Sequence, residues 1–171
     1  MPTMLIALAL AGADCQTVQA AYQDYLAEDA SFRRAMTMSF GEEFTVRQVD
    51  QVQKTGGVYH SEMISREVVG DEDSAAEGHI SLSDDEDGDP LAELATDCAS
   101  IERDGAILRF LSRDEEHAGD DEAVEFGEFR TGEDGRLIPH RMVVDIDQQL
   151  LFVIHIQMHL EAIYIDYQRA P

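Results

Sequence analysis

Residues 150–160 read LLFVIHIQMHL, and this segment decides the fold. Every second residue in it is apolar, and the residues between are mixed. The apolar set is Phe152, Ile154, Ile156, Met158 and Leu160. The mixed set is Val153, His155, Gln157 and His159. A period of two is typical of a β-strand that buries one face. The segment therefore predicts a strand whose apolar side packs against other parts of the chain or holds a ligand.

Three further segments near this strand carry strand signals. Residues 124–130, 137–147 and 162–167 are rich in β-branched, aromatic and other apolar side chains. Between the first two segments, Asp134-Gly135 is a strong hairpin signal. Pro139 cannot donate a hydrogen bond to a neighbouring strand, so it predicts an edge strand or a bulge. The last third of the chain is therefore predicted as consecutive antiparallel strands.

The rest of the chain predicts one helix and additional strands. Residues 17–28 place apolar side chains at helical spacing, beginning with Val18, Ala21 and Tyr22. The other predicted elements are strands at 32–40, 44–53 and 58–69, a helical turn at 91–95 and a hairpin across 100–112. The predicted fold class is α+β, with an N-terminal helix packed on a curved, mostly antiparallel meander sheet. A sheet of about seven strands in this arrangement is similar to a half-barrel.

The composition is strongly acidic. The 171 residues include 36 Asp and Glu against 12 Lys and Arg, which gives a formal net charge of −24. Much of this charge lies in residues 70–90, which are predicted to form an acidic loop within a single domain spanning residues 14–171. A second acidic loop is predicted at residues 114–122. A negative surface repels phosphate backbones, which excludes nucleic acid as a partner, whereas a basic protein partner is compatible with it.

The N-terminus has features of an export signal. Residues 4–11 form an apolar run followed by small residues, so residues 1–13 are predicted to be a cleaved signal. This places the mature protein in the periplasm or outside the cell. In those compartments Cys15 and Cys98 most simply form one disulfide, whereas in the cytoplasm they would be free thiols. No segment reaches the roughly 20 apolar residues of a membrane-spanning helix, so no integral membrane protein is predicted.

No catalytic or cofactor signature accompanies this organisation. Residues 84–89 are similar to a calcium loop, but the position where a bidentate Glu belongs is occupied by Leu94. His155 and His159 form an HxxxH pair, yet on one strand they lie roughly 13 Å apart and cannot share a metal. We therefore predict no metal and no cofactor, and a loose calcium site made by the clustered carboxylates is the alternative to a solvated acidic loop. The sequence favours binding over catalysis without deciding between them.

An apolar ligand site is the sharpest hypothesis that the residues support. Methionine is adaptable, and pockets rich in it tolerate acyl chains. A lipid or another apolar ligand is predicted to contact Met142, Phe152, Ile154, Ile156, Met158, His155 and His159. For the apolar members the alternative is ordinary core filling. For the histidines the alternative is exposure on the less buried face of the strand.

The order of the elements resembles the lipoprotein-carrier superfamily of LolA, LolB and their relatives. The resemblance rests on the helix at 17–28 followed by strands at 44–53, 58–69, 107–113, 124–130 and 137–160. In that family a curved half-barrel sheet shields an apolar cavity that accepts lipid chains. The resemblance implies an exported binding protein that holds an apolar or amphipathic ligand between sheet and helix. The alternative function is an acidic interaction or inhibitor module that binds a basic partner.

Overall fold

The computed structural model describes residues 3–42, 44–70, 91–96, 98–112, 124–150 and 154–170. These residues include a long helix, α1 (Thr3–Ala27), and a short helix, α2 (Leu91–Thr96). They also form eight strands: β1 (Ala30–Phe40), β2 (Phe44–Thr55), β3 (Val58–Gly70), β4 (Cys98–Asp104), β5 (Ile107–Ser112), β6 (Val124–Thr131), β7 (Leu137–Leu150) and β8 (Ile154–Arg169). Neither helix in these ranges combines the length and the apolar character that crossing a membrane requires.

The strands form one antiparallel sheet in the order β3-β2-β1-β8-β7-β6-β5-β4. The first three strands make one meander, and the last five make a second meander. The two meanders join through β1 and β8, which pair from Ala30 opposite Arg169 to Phe40 opposite Met158. Across the described ranges the sheet is open, and β3 and β4 form its two edges.

The predicted helix on an antiparallel sheet is confirmed, although strand dominates the fold. The helix begins at Thr3 and not at residue 17, because the Ala- and Leu-rich residues 4–11 are strong helix formers that continue into α1. Residues 154–160 of one predicted strand and all of the predicted strand 162–167 form one strand, β8, whereas Leu150 ends β7. A bulge near Asp166, whose φ is 54°, absorbs an extra residue and lets the pairing continue. The prediction of a single meander is wrong, because β1 pairs with β8.

Parts of the sequence-based prediction lie outside the described residues. Apart from Gly70, which ends β3, the predicted acidic loop at 70–90 is outside them. The second predicted acidic loop, at 114–122, and the calcium-like residues 84–89 are outside them as well. The helical turn predicted at 91–95 is confirmed as α2.

Pro139 occupies a bulge in an interior strand, which confirms one of its two predicted placements. The register between β6 and β7 shifts where Phe129 pairs with Pro139 and Glu128 pairs with Arg141. At this shift the ladder is already interrupted, so the missing N–H of proline removes little.

The sheet has an inner face, which packs against the helices, and an outer face on the opposite side. On β1 and β2 the even-numbered residues face inward, and this alternation runs through both strands. The core on the inner face joins α1, α2 and the sheet, and its members include Val18, Tyr22, Tyr25, Phe32, Met36, Leu91, Leu108, Phe110, Phe129, Met142 and Tyr164. Burying these large apolar side chains is what holds the helices on the sheet.

The outer face is polar and is crossed by ion pairs. Arg141 Nε lies 2.6 Å from Glu161 Oε1, and Arg109 Nη2 lies 2.6 Å from Glu128 Oε1. Both guanidinium groups also lie over the ring of Phe126, at 4.9 Å for Arg109 and 5.5 Å for Arg141. The Arg141–Glu161 pair is partly exposed and adds little stability, whereas the carboxylate of Glu128 is buried and is balanced by the more exposed Arg109.

A disulfide links Cys15 in α1 to Cys98 at the start of β4, which confirms the predicted pairing. The two Cα atoms are 5.7 Å apart, and the cysteines are separated by 83 positions in the sequence. The bond therefore ties the middle of α1 to an edge strand of the sheet.

Gly127 in β6 packs directly against buried core side chains. A Cβ atom at this position would lie 2.3 Å from Cζ of Phe110 and 3.0 Å from Cδ1 of Leu91. Since both side chains are fully buried, they have little room to move. Gly127→Ala is therefore expected to lower the free energy of unfolding by about 2–3 kcal/mol, measured by urea denaturation.

Gly132→Ala is the matched control for this substitution. Its Cβ would lie 3.1 Å from Oδ1 of the exposed Asp134 side chain and 3.5 Å from the backbone oxygen of Arg136, which is ordinary van der Waals contact. A change below about 0.5 kcal/mol is expected there, as for most surface substitutions. Equal effects at the two glycines would contradict the close packing of Gly127 against Phe110.

Candidate functional site

Charged and polar residues interrupt the apolar inner face on β1 and β2. Period-two alternation places Arg34 between Phe32 and Met36 on this face, and antiparallel pairing places Asp50 directly beside Arg34. Gln48 is the next inward residue on β2. Arg34 retains 7% of its surface, Gln48 2% and Asp50 none. We call Arg34, Gln48 and Asp50 the inner polar cluster.

The hydrogen bonds of this cluster are unevenly shared. Nε2 of Gln48 donates to both carboxylate oxygens of Asp50, at 2.9 and 3.2 Å. Nη2 of Arg34 is 3.8 Å from Oδ2 of Asp50, which is an ion pair but too long for a hydrogen bond. Nε of Arg34 has no hydrogen-bond partner within the described part of the chain. Buried donors are almost always paired in proteins, so this arrangement calls for a functional explanation.

Lys54 places a second cation on the inner face. It is the chain's single lysine, and only 1% of its surface is exposed. Its Nζ lies 3.9 Å from the ring centroid of Tyr25 in α1, a cation–π geometry. The lysine therefore helps to dock the C-terminal part of α1 on the sheet.

The end of α1 is anchored by a carboxylate. Glu28 Oε2 accepts a hydrogen bond from Nε of Arg169 at 2.5 Å, and Oε1 accepts one from the hydroxyl of Tyr167 at 2.7 Å. Nη2 of Arg136 lies 3.4 Å from the same carboxylate. Burial and the neighbouring Glu28 raise the pKa of Tyr167 above its ordinary value, so this phenol stays a neutral donor. These contacts hold the junction between α1 and β1.

An apolar region continues along the inner face beyond the inner polar cluster. Its members face one another across adjacent strands and consist of Met38, Phe40, Phe44, Val46 and Met158. We call this set the apolar floor. The rings of Phe40 and Phe44 stack with their centroids 4.9 Å apart. Met38, Phe44 and Val46 are buried, yet they are not members of the core formed with α1 and α2.

The residues predicted from sequence to contact a ligand fall in different places. Met142 is fully buried in the core, and Met158 is part of the apolar floor. His159 lies on the outer face, where its Nδ1 contacts Oδ1 of Asp145. One inner-face ligand cannot therefore contact both Met142 and His159. The backbone of Ile154, His155 and Ile156 belongs to β8, and Phe152 lies outside the described residues.

Sequence reasoning did not single out the inner polar cluster, although its signals were present. Arg34 was part of the alternating apolar segment that predicted β1, and a charge inside such a stripe is unusual. The single lysine of this acidic chain, Lys54, was a second signal that the inner face carries buried charge next to the cluster. Gln48 and Asp50 carried none, because polar residues on a strand most often face solvent.

Two open grooves flank the sheet but carry weaker chemistry. One, of about 540 Å³, lies by the β4–β5 hairpin between Arg103 and Glu128. The other, of about 430 Å³, separates Asp24 of α1 from Arg136 and Leu137. Both are lined largely by side chains that are exposed or already ion-paired. In the part of the chain that the structure describes, no group of three or more metal-ligating side chains gathers in one place.

No protein-family model matches the sequence, and no curated protein matches it significantly. Functional inference therefore depends on the geometry of the inner face.

Proposed function

We propose that this protein is an exported binding protein that holds an amphipathic ligand against the inner face of its sheet. The observation that carries the proposal is the adjacency of the inner polar cluster and the apolar floor. Arg34 and Met38 are two inward positions apart on β1, and Asp50 and Val46 are two inward positions apart on β2. A polar end and an apolar end side by side are what a molecule with a head group and a chain requires.

Helix α1 marks one boundary of the region where such a ligand would lie. Its C-terminal part is docked by Tyr25 and Lys54, and the Cys15–Cys98 bond tethers it at Cys15. The ligand would lie beyond this docked region, along the apolar floor. A ligand held between helix and sheet, as the resemblance to lipoprotein carriers implies, would lie next to this docked region.

We further propose that the sheet curves around the ligand as a half-barrel. Register shifts occur in four of the seven strand pairings, namely β1–β8, β2–β3, β4–β5 and β6–β7. Bulges bend strands and increase their twist. The shifts therefore supply a local cause for curvature in both meanders.

Export is the part of the proposal that concerns location. Disulfides persist in the periplasm and outside the cell, and they are uncommon in reducing cytoplasm. The Cys15–Cys98 bond supports an oxidising compartment, and the apolar residues 4–11 support a signal that is removed after Ala13. Cleavage at that position would leave both cysteines in the mature chain.

The test is native mass spectrometry of the full-length gene product, secreted into and purified from a bacterial periplasm, followed by solvent extraction. We expect a mass shift from a bound amphiphile and a mature chain that begins at residue 14. Met38→Gln should lower the ligand-bound fraction about five- to tenfold, because it buries an amide on the apolar floor.

Thr37→Gln is the matched control, since Thr37 is the neighbouring residue on the outer face of the same strand. It should leave ligand occupancy unchanged. If the purified protein carries no amphiphile and takes up none when one is added, the proposal is wrong. In that case the net charge of −24 would favour the alternative of a basic protein partner.

A further inference from the structure

We infer that the inner polar cluster recognises an anionic head group, a carboxylate or a phosphate, through the guanidinium of Arg34. This inference rests on the proposed function and adds to it the chemical class of the ligand. The chain of the ligand would lie on the apolar floor, and its head would lie at the cluster.

The donors of Arg34 are the first argument. A guanidinium carries five N–H donors in a rigid planar fork that matches carboxylate and phosphate oxygens. In the described structure the nearest carboxylate oxygen, Oδ2 of Asp50, is 3.8 Å away, and Gln48 already donates to both oxygens of that carboxylate. Asp50 therefore balances the charge of Arg34 without a hydrogen bond across this 3.8 Å contact, and Nε of Arg34 is a buried donor without a partner in the described residues.

A second buried donor lies on the same side of the cluster. The hydroxyl of Ser61 in β3 is buried without a hydrogen-bond partner in the described residues. Ser61 pairs with Val52, which is two positions from Asp50 along β2, so it lies diagonally across from the cluster on the inner face. Nε of Arg34 and the hydroxyl of Ser61 are thus two buried donors without acceptors on the same face of the sheet. Such donors favour a ligand rich in acceptor oxygens.

The length of the inner face fits a single-chain amphiphile. Arg34 and Phe40 are six residues apart on one strand, which corresponds to roughly 20 Å. This is the scale of a long acyl chain in extended form. Phe40 and Phe44 close the far end of the floor across the turn between β1 and β2.

The test compares three probes with the same alkyl chain on delipidated, disulfide-intact protein: palmitate, hexadecyl phosphate and hexadecanol. For the wild-type protein we expect at least one anionic probe to bind about 10- to 100-fold tighter than the alcohol, measured by calorimetry. A tighter phosphate would identify a phosphate head group, and a tighter palmitate would identify a carboxylate.

The decisive variant is the double substitution Arg34→Gln with Asp50→Asn, which leaves no unpaired buried charge. It should bind all three probes with similar affinity while still binding hexadecanol as the wild-type protein does. Arg34→Lys keeps the positive charge but loses the planar guanidinium fork, so it should retain only part of the preference for anionic probes over hexadecanol. Because this variant keeps the ion pair with Asp50, it also guards against a folding defect in the double variant. Arg33→Gln is the control, because Arg33 faces outward and pairs with Asp166. This variant should prefer the anionic probes over hexadecanol to the same degree as the wild-type protein.

Two results would overturn the inference and are distinguishable from each other. If all three probes bind the wild-type protein equally, the head-group site is wrong while the binding function stands. If none of the probes binds, the proposed function fails as well.

Discussion

Replacing Cys15 and Cys98 together by serine is expected to lower the free energy of unfolding by about 4 kcal/mol. The disulfide closes a loop across 83 positions, and a bond of that span removes much of the conformational freedom of the unfolded chain. In the folded state it also fixes α1 to the edge strand β4. The measurement is a guanidinium denaturation curve of the variant and of the oxidised wild-type protein, fitted with a shared slope.

The wild-type protein after full reduction of its disulfide is the control for this variant. It should unfold at the same denaturant concentration as the double serine variant, because both lack only the covalent link. If the oxidised wild-type protein and the serine variant share one midpoint, the disulfide does not constrain the unfolded chain as expected. If the reduced protein is much less stable than the variant, the thiols themselves disturb the packing of α1.

Phe32→Ala is expected to cost about 3–5 kcal/mol of unfolding free energy, the range for truncating a buried aromatic ring. Phe32 is 1% exposed, and its ring centroid lies 5.5 Å from that of Tyr164 and 5.6 Å from that of Tyr167. Tyr25 from α1 is also in contact, with the centroids 6.4 Å apart. Removing the ring leaves a cavity where α1, β1 and β8 meet, so the near-ultraviolet circular dichroism of the tyrosines should also weaken.

Phe126→Ala is the matched control, since it removes the same ring from the outer face of the same sheet. Phe126 is half-buried, and the guanidinium groups of Arg109 and Arg141 lie over its ring. Its loss should cost about 1 kcal/mol, which reflects exposed cation–π contacts and a small apolar area. A larger loss at Phe126 than at Phe32 would contradict the assignment of the inner and outer faces.

The strands were predictable because their signals are local. Alternation from Phe32 to Phe40 and from residue 150 to 160 depends only on neighbours in the sequence, and Asp104-Gly105 and Asp134-Gly135 mark turns by their own conformational preferences. The disulfide was predictable for a different reason, since two cysteines allow only one pairing. Boundaries were less accurate, as at Thr3 and at the join of the two segments in β8.

The choice of strand partners could not be predicted in the same way. Nothing in the residues of β1 specifies that β8, and not another strand, will lie beside it, because this choice depends on how both meanders bury their apolar faces at once. The inner polar cluster depends on the same choice. Arg34 is buried only because Asp50 and Tyr164 flank it on the adjacent strands, and this environment exists only after the sheet has formed.

The pairing of β1 with β8 also has a consequence for how the chain folds. β1 is the first strand in the sequence and β8 is the last of the described strands, so the centre of the sheet joins regions that are far apart along the chain. Contacts of this kind raise the contact order and slow folding, because a long loop must close before they form. Until β8 is available, the edge of β1 that will pair with β8 has unpaired backbone N–H and C=O groups. This edge is then open to pairing with other chains. The protein is therefore most exposed to aggregation before its final strand is in place, and a chaperone that shields β1 during that interval would protect the whole sheet.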